Sequence, residues 1–428
     1  MSTSHFRIVE HSIPCQSIRE YPHAVKADHA PLQLAVKQYI PLNNLNPGPD
    51  DLTMIAGHAN GIPKECYEPI WDELLALTGV KIKAIWIADC SRQGASGVLN
   101  ESALGDDPNW FDHSRDLLHL VNHFRDQIQR PIVGISHSFS CPQFVHLSVM
   151  YPRLFHAHAF IEPMMQVESP SKPGGRSPSL WTSSRPDRWA SHAEAEKYIH
   201  RSGFWRHWDP RAVDQYIKFG LRSLPTALYP DSSSDAVTLT TTKAQEAWTF
   251  LRFNATPQSS IDDLHDSTEH FLGPDVAVAG REGDNNNRRY VTVSPWPCIG
   301  FEFLPYVRPS VLYIFGEKSH INIPARRRDK LARTGTGLGG SGGVAAGQVR
   351  GEVVSGATHL APLEKALETA RLLSSWLETQ MEAYQMEKEF VQRHESGKSE
   401  RDMTALSKQW MEYMKKPVDT KRDRRSHL

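Results

Sequence analysis

The chain has 428 residues, enough to bury a large core and to carry an insertion inside one large domain, or to form two ordinary domains. Charged residues make up 23% and the formal net charge is -1, so no global field draws the protein to nucleic acid or anionic lipid, and a small-molecule partner is the default. Five scattered cysteines, Cys15, Cys66, Cys90, Cys141 and Cys298, have neither C-x-x-C nor metal spacing, which argues against a disulfide framework and for a reducing compartment.

The opening MSTSHFRIVEHSIPC has no basic stretch followed by an apolar one. No later run approaches the roughly 18 apolar residues of a membrane span, so a soluble, unsecreted chain is expected. Apolar runs then alternate with helical patterns. LQLAVKQYIP (32–41), LTMIAGH (52–58), IKAIWIAD (82–89), RPIVGIS (130–136) and HAHAFIEP (156–163) read as strands. Between them, segments 66–79, 111–128 and 142–152 repeat apolar residues at helical spacing. Such alternation predicts βαβ units and a mostly parallel sheet.

Three stretches of this first part carry chemistry. IAGHANGIPKE (55–65) follows a strand and resembles the H-G turn that supplies one oxyanion N–H in α/β-hydrolases, which makes Asn60 a candidate donor. GISHSFSCPQ (134–143) nearly spells the G-x-S-x-G nucleophile elbow, in two competing frames. The frame on Ser138 leaves PIVGI as a complete strand and lets a helix start with Pro142 in its first turn, where proline is tolerated. Ser138 is therefore the expected nucleophile, Phe139 the second oxyanion donor and Ser136 the alternative nucleophile. Ser136 and Ser140 stand where glycines usually sit, so a tighter or slightly distorted elbow is expected. Glu162 ends the strand after the elbow helix and is one candidate for the acid.

From 167 to 300 the rhythm breaks into Pro-, Ser-, Trp- and Asn-rich stretches, which predicts an inserted, partly helical cap after a first core segment of 1–166. Its aromatics, Trp205 among them, are candidates for lining an acyl pocket, although most should serve packing. The core resumes over 301–393 with strands at RPSVLYIFGEKS and EVVSGATH. Glu317 follows the first of these and is the alternative acid. His359 follows the second, in a loop before a helix, where a triad base belongs. The glycine-rich loop after Arg326, Arg327 and Arg328 reads first as a flexible surface loop, with a cradle for phosphates as the other reading. Residues 394–428 read as a charged helical or flexible tail. Its last residues, Ser426-His427-Leu428, vary the S-K-L peroxisomal import signal conservatively.

GHANGIPKECYEPIWDELL, WFDHSRDLLHLVNHFRDQIQRPIVGISHSFS, YPRLFHAHAFIEPMMQ, SLPTALYPD, GTGLGGSGG and THLAPLE, in this order, resemble a family of fungal peroxisomal α/β-hydrolases of secondary-metabolite clusters. The family includes the acyl-CoA thioesterase of the mycophenolic acid pathway and hydrolase-like proteins of host-selective toxin biosynthesis. The resemblance implies an α/β-hydrolase fold, with a mostly parallel central sheet, helices on both faces and an inserted cap. It implies cleavage of an acyl-CoA thioester or ester in a peroxisome through an acyl-enzyme. The family's elbow reads G-H-S-F-G-G and its acid precedes a proline after the next strand, which falls on Glu162. The base falls on His359. His58, His137 and Trp205 are expected to bind substrate. The expected partners are the substrate and the import receptor, with coenzyme A only as part of the substrate and no metal or other cofactor. An acyltransferase or cyclase using the same acyl-enzyme, and a degenerate hydrolase acting as a binding protein, are the alternatives.

Overall fold

The computed structural model describes residues 4–168, 177–230, 235–253 and 291–416. The apolar runs become neighbouring strands of one eight-stranded sheet: β1 (Phe6–Pro14), β2 (Gln33–Pro41), β3 (Leu52–Gly57), β4 (Ile82–Ala88), β5 (Ile132–His137), β6 (Ala157–Ile161), β7 (Ser310–Gly316) and β8 (Val349–Val354). Their spatial order is β1-β2-β4-β3-β5-β6-β7-β8. β2 runs antiparallel to β1 and to β4, and every other pairing is parallel. β3, β5 and β6 are buried at every residue, which explains why they read as continuous apolar runs: a parallel strand covered on both faces has no polar side to show.

The covering helices follow from the alternation of side chains along each strand. Met54 and Ala56 of β3 join a cluster with Ile70, Trp71 and Leu74 of α1 (Glu68–Leu77). Ile55, between them, joins the opposite cluster with Leu117 and Leu120 of α2 (Trp110–His123) and Phe144 of α3 (Ser140–Met150). The sheet is thus sandwiched by helices on both faces, the α/β-hydrolase architecture.

The insertion contributes helices at Pro178–Ser184, His192–Arg201 and Pro210–Phe219, then α4 (Lys243–Phe250). A small antiparallel sheet of Arg188–Trp189, Val237–Leu239 and Leu221–Ser223 accompanies them. Trp205 is buried, with its ring centroid 5.1 Å from that of Tyr216 and 6.5 Å from that of Trp208. It packs the insertion and continues the α1-side core, so its expected role in substrate binding is corrected to packing.

Contacts group residues 1–381 into one compact unit and 382–428 into another. The first contains α5 (Pro324–Arg333) and the start of α6 (Ala366–Glu395), whose Ala370, Leu373, Trp376 and Leu377 complete the α1 side of the core. The second holds the end of α6 and short helices at Glu400–Thr404 and Lys408–Met414. Ser426, His427 and Leu428 lie outside the described residues. Among the described residues no helix is long and apolar enough to cross a membrane, and no group of His, Cys, Asp and Glu is arranged to hold a metal.

Candidate active site

β5 passes into α3 through a turn whose central residue, Ser138, has φ 60°. That left-handed conformation costs a side-chain-bearing residue on the order of 1–3 kcal/mol and projects its hydroxyl clear of the strand end. The turn is tied to β6, since the Ser138 N–H donates to Ile161 O at 3.0 Å and Ser138 O accepts from Met164 N at 3.2 Å. Ser140 does not simply crowd the turn. Its hydroxyl accepts from His137 N at 3.0 Å and donates to His137 O at 2.8 Å, closing the elbow upon itself. Room for it comes from β3, where a Cβ on Gly57 would stand 2.8 Å from Ser140 Cβ and Oγ. Ser136 lies within β5, 1% exposed, with its hydroxyl buried and, among the described residues, unpartnered, so its candidacy as nucleophile is overturned.

The hydroxyl of Ser138 donates to His359 Nε2 at 2.8 Å, and His359 Nδ1 donates to Glu162 Oε2 at 2.9 Å. Glu162 also has a positive φ, 47°, and among the described residues it and Ser138 are the two non-glycines with this conformation. Its carboxylate accepts three further hydrogen bonds: from Gly316 N at 2.6 Å, Ser319 Oγ at 2.6 Å and Asn322 Nδ2 at 2.9 Å. Burial pushes this carboxyl up, but the bond to His359 and the bonds from Ser319 and Asn322 outweigh it and hold the group below the usual carboxylate range. Glu317 is exposed and turns to Gly356 N and Ser355 Oγ, which overturns it as the acid. Ser319 and Asn322 went unnoticed in the sequence, although both lie within the same GEKSHIN loop as Glu317.

Asn60 and Phe139 carry backbone N–H groups that bond to no acceptor among the described residues. The Asn60 loop is clamped by its side chain, which donates to Glu246 O of α4 at 3.0 Å and accepts from Gln93 Nε2. The insertion therefore helps to shape the oxyanion candidate. His58 braces the same loop: Nδ1 donates to Ala59 O at 2.9 Å and Nε2 accepts from Cys90 N at 3.0 Å. With both nitrogens bonded to backbone, His58 is a strut and not a substrate ligand.

His137 is corrected in the same way. Its Nε2 meets the carbonyl of His359 at 2.9 Å, and because a carbonyl only accepts, Nε2 carries the proton. Nδ1 then accepts from Tyr67 OH at 2.7 Å, and that hydroxyl accepts from Ala59 N at 2.8 Å. One neutral imidazole thus links the Asn60 loop to the backbone of His359. Burial and the neighbouring His359 pull the His137 pKa down to about 3, so the ring stays neutral at working pH. His137→Phe leaves a buried carbonyl and hydroxyl unpaired, each worth about 1–3 kcal/mol. Steady-state kinetics should show kcat lowered about 10- to 100-fold with little change in KM, and a Tyr67→Phe, His137→Phe double variant should lose less than the sum of the two. An additive pair would disprove the shared chain.

The glycine-rich loop spends its backbone on the protein itself. Gly335, Gly337 and Ser341 N–H groups donate to the carbonyls of Leu304, Pro305 and Val307, and Arg327 donates to Asn322, Gly316 and Glu317 carbonyls. This favours the surface loop and sets aside the phosphate cradle.

Comparisons with known proteins agree with this fold. No family model matches the chain. The type I acyl-CoA thioesterase mpaH of Penicillium brevicompactum is 36% identical over 451 aligned positions, covering 100% of this chain and 99% of the relative. The abhydrolase domain-containing protein AFT2-1 of Alternaria alternata is 25% identical over 67% of this chain and 98% of its own. The crystal structure of the peroxisomal alpha-beta-hydrolase Lpx1 of Saccharomyces cerevisiae superposes with a TM-score of 0.63 at 17% identity, over 96% of this chain and 95% of that one. More than one third identity along the whole chain places the protein in the fungal α/β-hydrolase family that contains the Penicillium type I acyl-CoA thioesterases.

Proposed function

We propose that the protein is a serine hydrolase that cleaves an acyl-CoA thioester through an acyl-enzyme. The observation that carries this reading is the unbroken hydrogen-bonded chain from Ser138 through His359 to Glu162. As Ser138 Oγ attacks the thioester carbonyl, His359 Nε2 takes its proton, and Glu162 stabilises the imidazolium without becoming protonated. The Asn60 and Phe139 N–H groups receive the oxyanion, each contributing on the order of 3 kcal/mol to the transition state. Collapse breaks the C–S bond and the coenzyme A thiolate leaves, taking the His359 proton. Water then attacks the acyl-Ser138 ester with His359 as base, releasing the acid and restoring the serine. Coenzyme A is thus part of the substrate, and the chemistry calls on no metal or other cofactor.

The Penicillium relative supports the thioester as substrate class by its name. Incubation with acyl-CoA should release free acid and coenzyme A in equal amounts. An intramolecular ester or ring in place of the acid would reveal an acyltransferase or cyclase, and no labelling of Ser138 by a fluorophosphonate probe would reveal a binding protein.

The peroxisome is the proposed location and a fungal secondary-metabolite or toxin pathway the proposed setting. Lpx1, named as peroxisomal, aligns with 39% of this chain at 27% identity, and the import receptor would read Ser426-His427-Leu428. A fluorescently tagged chain should leave the peroxisome when these three residues are removed, and continued import would exclude them as the signal.

A further inference from the structure

One buried carboxylate of the insertion lies against the loop that presents the Asn60 N–H. Glu246 on α4 is 8% exposed. Its backbone carbonyl accepts from Asn60 Nδ2 at 3.0 Å. Its side chain meets the next residue of the loop, for a Cβ on Gly61 would stand 2.4 Å from Glu246 Oε2. Gly61 also has φ 73°, so conformation and room both call for glycine there. The insertion's own first helix, Pro178–Ser184, packs on α4 and holds the same carboxylate. Oε1 accepts from Thr182 Oγ1 at 2.7 Å, and Oε2 accepts from Arg185 Nη2, just past the helix end.

α4 reaches the loop a second time through Gln93. Gln93 Oε1 accepts from Gly61 N at 2.9 Å, while Nε2 donates to Asn60 Oδ1 and, at 3.4 Å, to Thr249 Oγ1 of α4. Within the loop Ala59 O accepts from Ile62 N at 3.1 Å and from His58 Nδ1 at 2.9 Å. The peptide that carries the Asn60 N–H is thus fixed at its carbonyl by the core, and the Asn60 side chain is fixed by α4. What keeps α4 in place bears on where that N–H points. Among the described residues the Arg185 guanidinium hydrogen-bonds to Glu246 and to no residue of the triad or the loop. Removing that cation leaves a desolvated carboxylate unpaired, which is costly enough to drive it from its place beside Gly61.

We propose that Glu246 is a positioning residue for the hydrolysis: paired with Arg185, it holds the insertion against the 59–61 loop and so fixes the Asn60 N–H where the oxyanion forms. The insertion then governs how fast Ser138 is acylated. This rests on the serine-hydrolase reading above, with Asn60 as an oxyanion donor, but not on a thioester as the substrate. A donor displaced by about 1 Å can cost about a hundredfold in rate, so a loosened loop should show in the chemical step before it shows in binding.

The test measures how fast a fluorophosphonate labels Ser138 in the full chain. Ser138 Oγ displaces fluoride at phosphorus and passes its proton to His359, while the phosphoryl oxygen takes the oxyanion position. Arg185→Met should slow labelling about tenfold or more. Arg185→Lys, which can still offer Glu246 one charged donor, should stay within about threefold of the unaltered rate. In turnover of acyl-CoA, Arg185→Met should lower kcat by the same factor and leave KM within about threefold. If Arg185→Met does not fold by circular dichroism, Thr182→Val removes the other bond to the carboxylate and should slow labelling about threefold. A merely structural ion pair would lower the thermal midpoint and leave labelling well below that temperature unchanged. Unchanged labelling in a folded variant, or a loss confined to KM, overturns the proposal. If the unaltered chain is labelled, the variants are labelled slowly and no acyl-CoA is hydrolysed, the thioester reading fails and the role of Glu246 stands. If acyl-CoA is hydrolysed with the same kcat by every variant, the reverse follows.

Discussion

Ser138→Ala is expected to abolish coenzyme A release from acyl-CoA, a loss of about a millionfold in kcat, which takes the rate below ordinary detection. The hydroxyl is the one atom that both bonds to the His359 base at 2.8 Å and leaves the strand end on a left-handed turn. Alanine keeps the Cβ and the strained backbone, so circular dichroism and the thermal midpoint should stay near those of the unaltered protein. Intact-mass spectrometry of a quenched reaction should show acyl adduct on the unaltered chain and none on the variant. Ser136→Ala provides the comparison. It removes a buried hydroxyl with no partner, so its turnover should lie within a few-fold of normal and its stability should be equal or higher. Full turnover by Ser138→Ala, or loss confined to Ser136→Ala, would overturn the assignment of the nucleophile.

How much of this was legible differed from element to element for physical reasons. Strands β3 to β7 announced themselves because they are covered on both faces and rich in Val, Ile and Ala. β1 went unread, because it is an edge strand in which only Phe6 and Ile13 are buried, and Arg7, Glu10, His11 and Ser12 break any alternation. The elbow frame was legible because a β-to-α turn has a local grammar of strand, strained residue and helix start. Its tolerance of Ser140 was not, since the compensating Gly57 lies on another strand, some eighty residues away. Histidines 58 and 137 looked like ligands by their closeness to the serine. Only the fold shows that each ring is saturated by backbone or tyrosine partners. The resemblance to a family pointed to Glu162, whereas position along the chain left two carboxylates open, because reach to a histidine depends on how a turn folds back and on which neighbours stabilise the charge.

That choice is decided by the second large effect. Glu162→Gln should lower kcat about ten-thousandfold, the scale seen when a triad carboxylate becomes an amide and the histidine is held in the wrong tautomer. An amide oxygen can still accept from Gly316 N, but the NH2 then faces Ser319 Oγ and the Asn322 amide, both of which donate to the native Glu162 Oε2. Turning the amide over satisfies those donors and leaves Gly316 N, at 2.6 Å, facing another donor. Either way at least one buried bond is lost and the anion that steadies the imidazolium is gone, so the damage should fall on kcat, with KM little changed. Glu317→Gln should keep full activity, because that carboxylate is exposed and bonds only to Ser355 and Gly356. Glu162→Asp should recover only part of the rate, since the charge survives but the shorter side chain cannot reach His359 Nδ1 and Gly316 N together. A Glu317→Gln loss equal to that of Glu162→Gln would mean that the hydrogen-bonded chain found at rest is not the one that carries the proton.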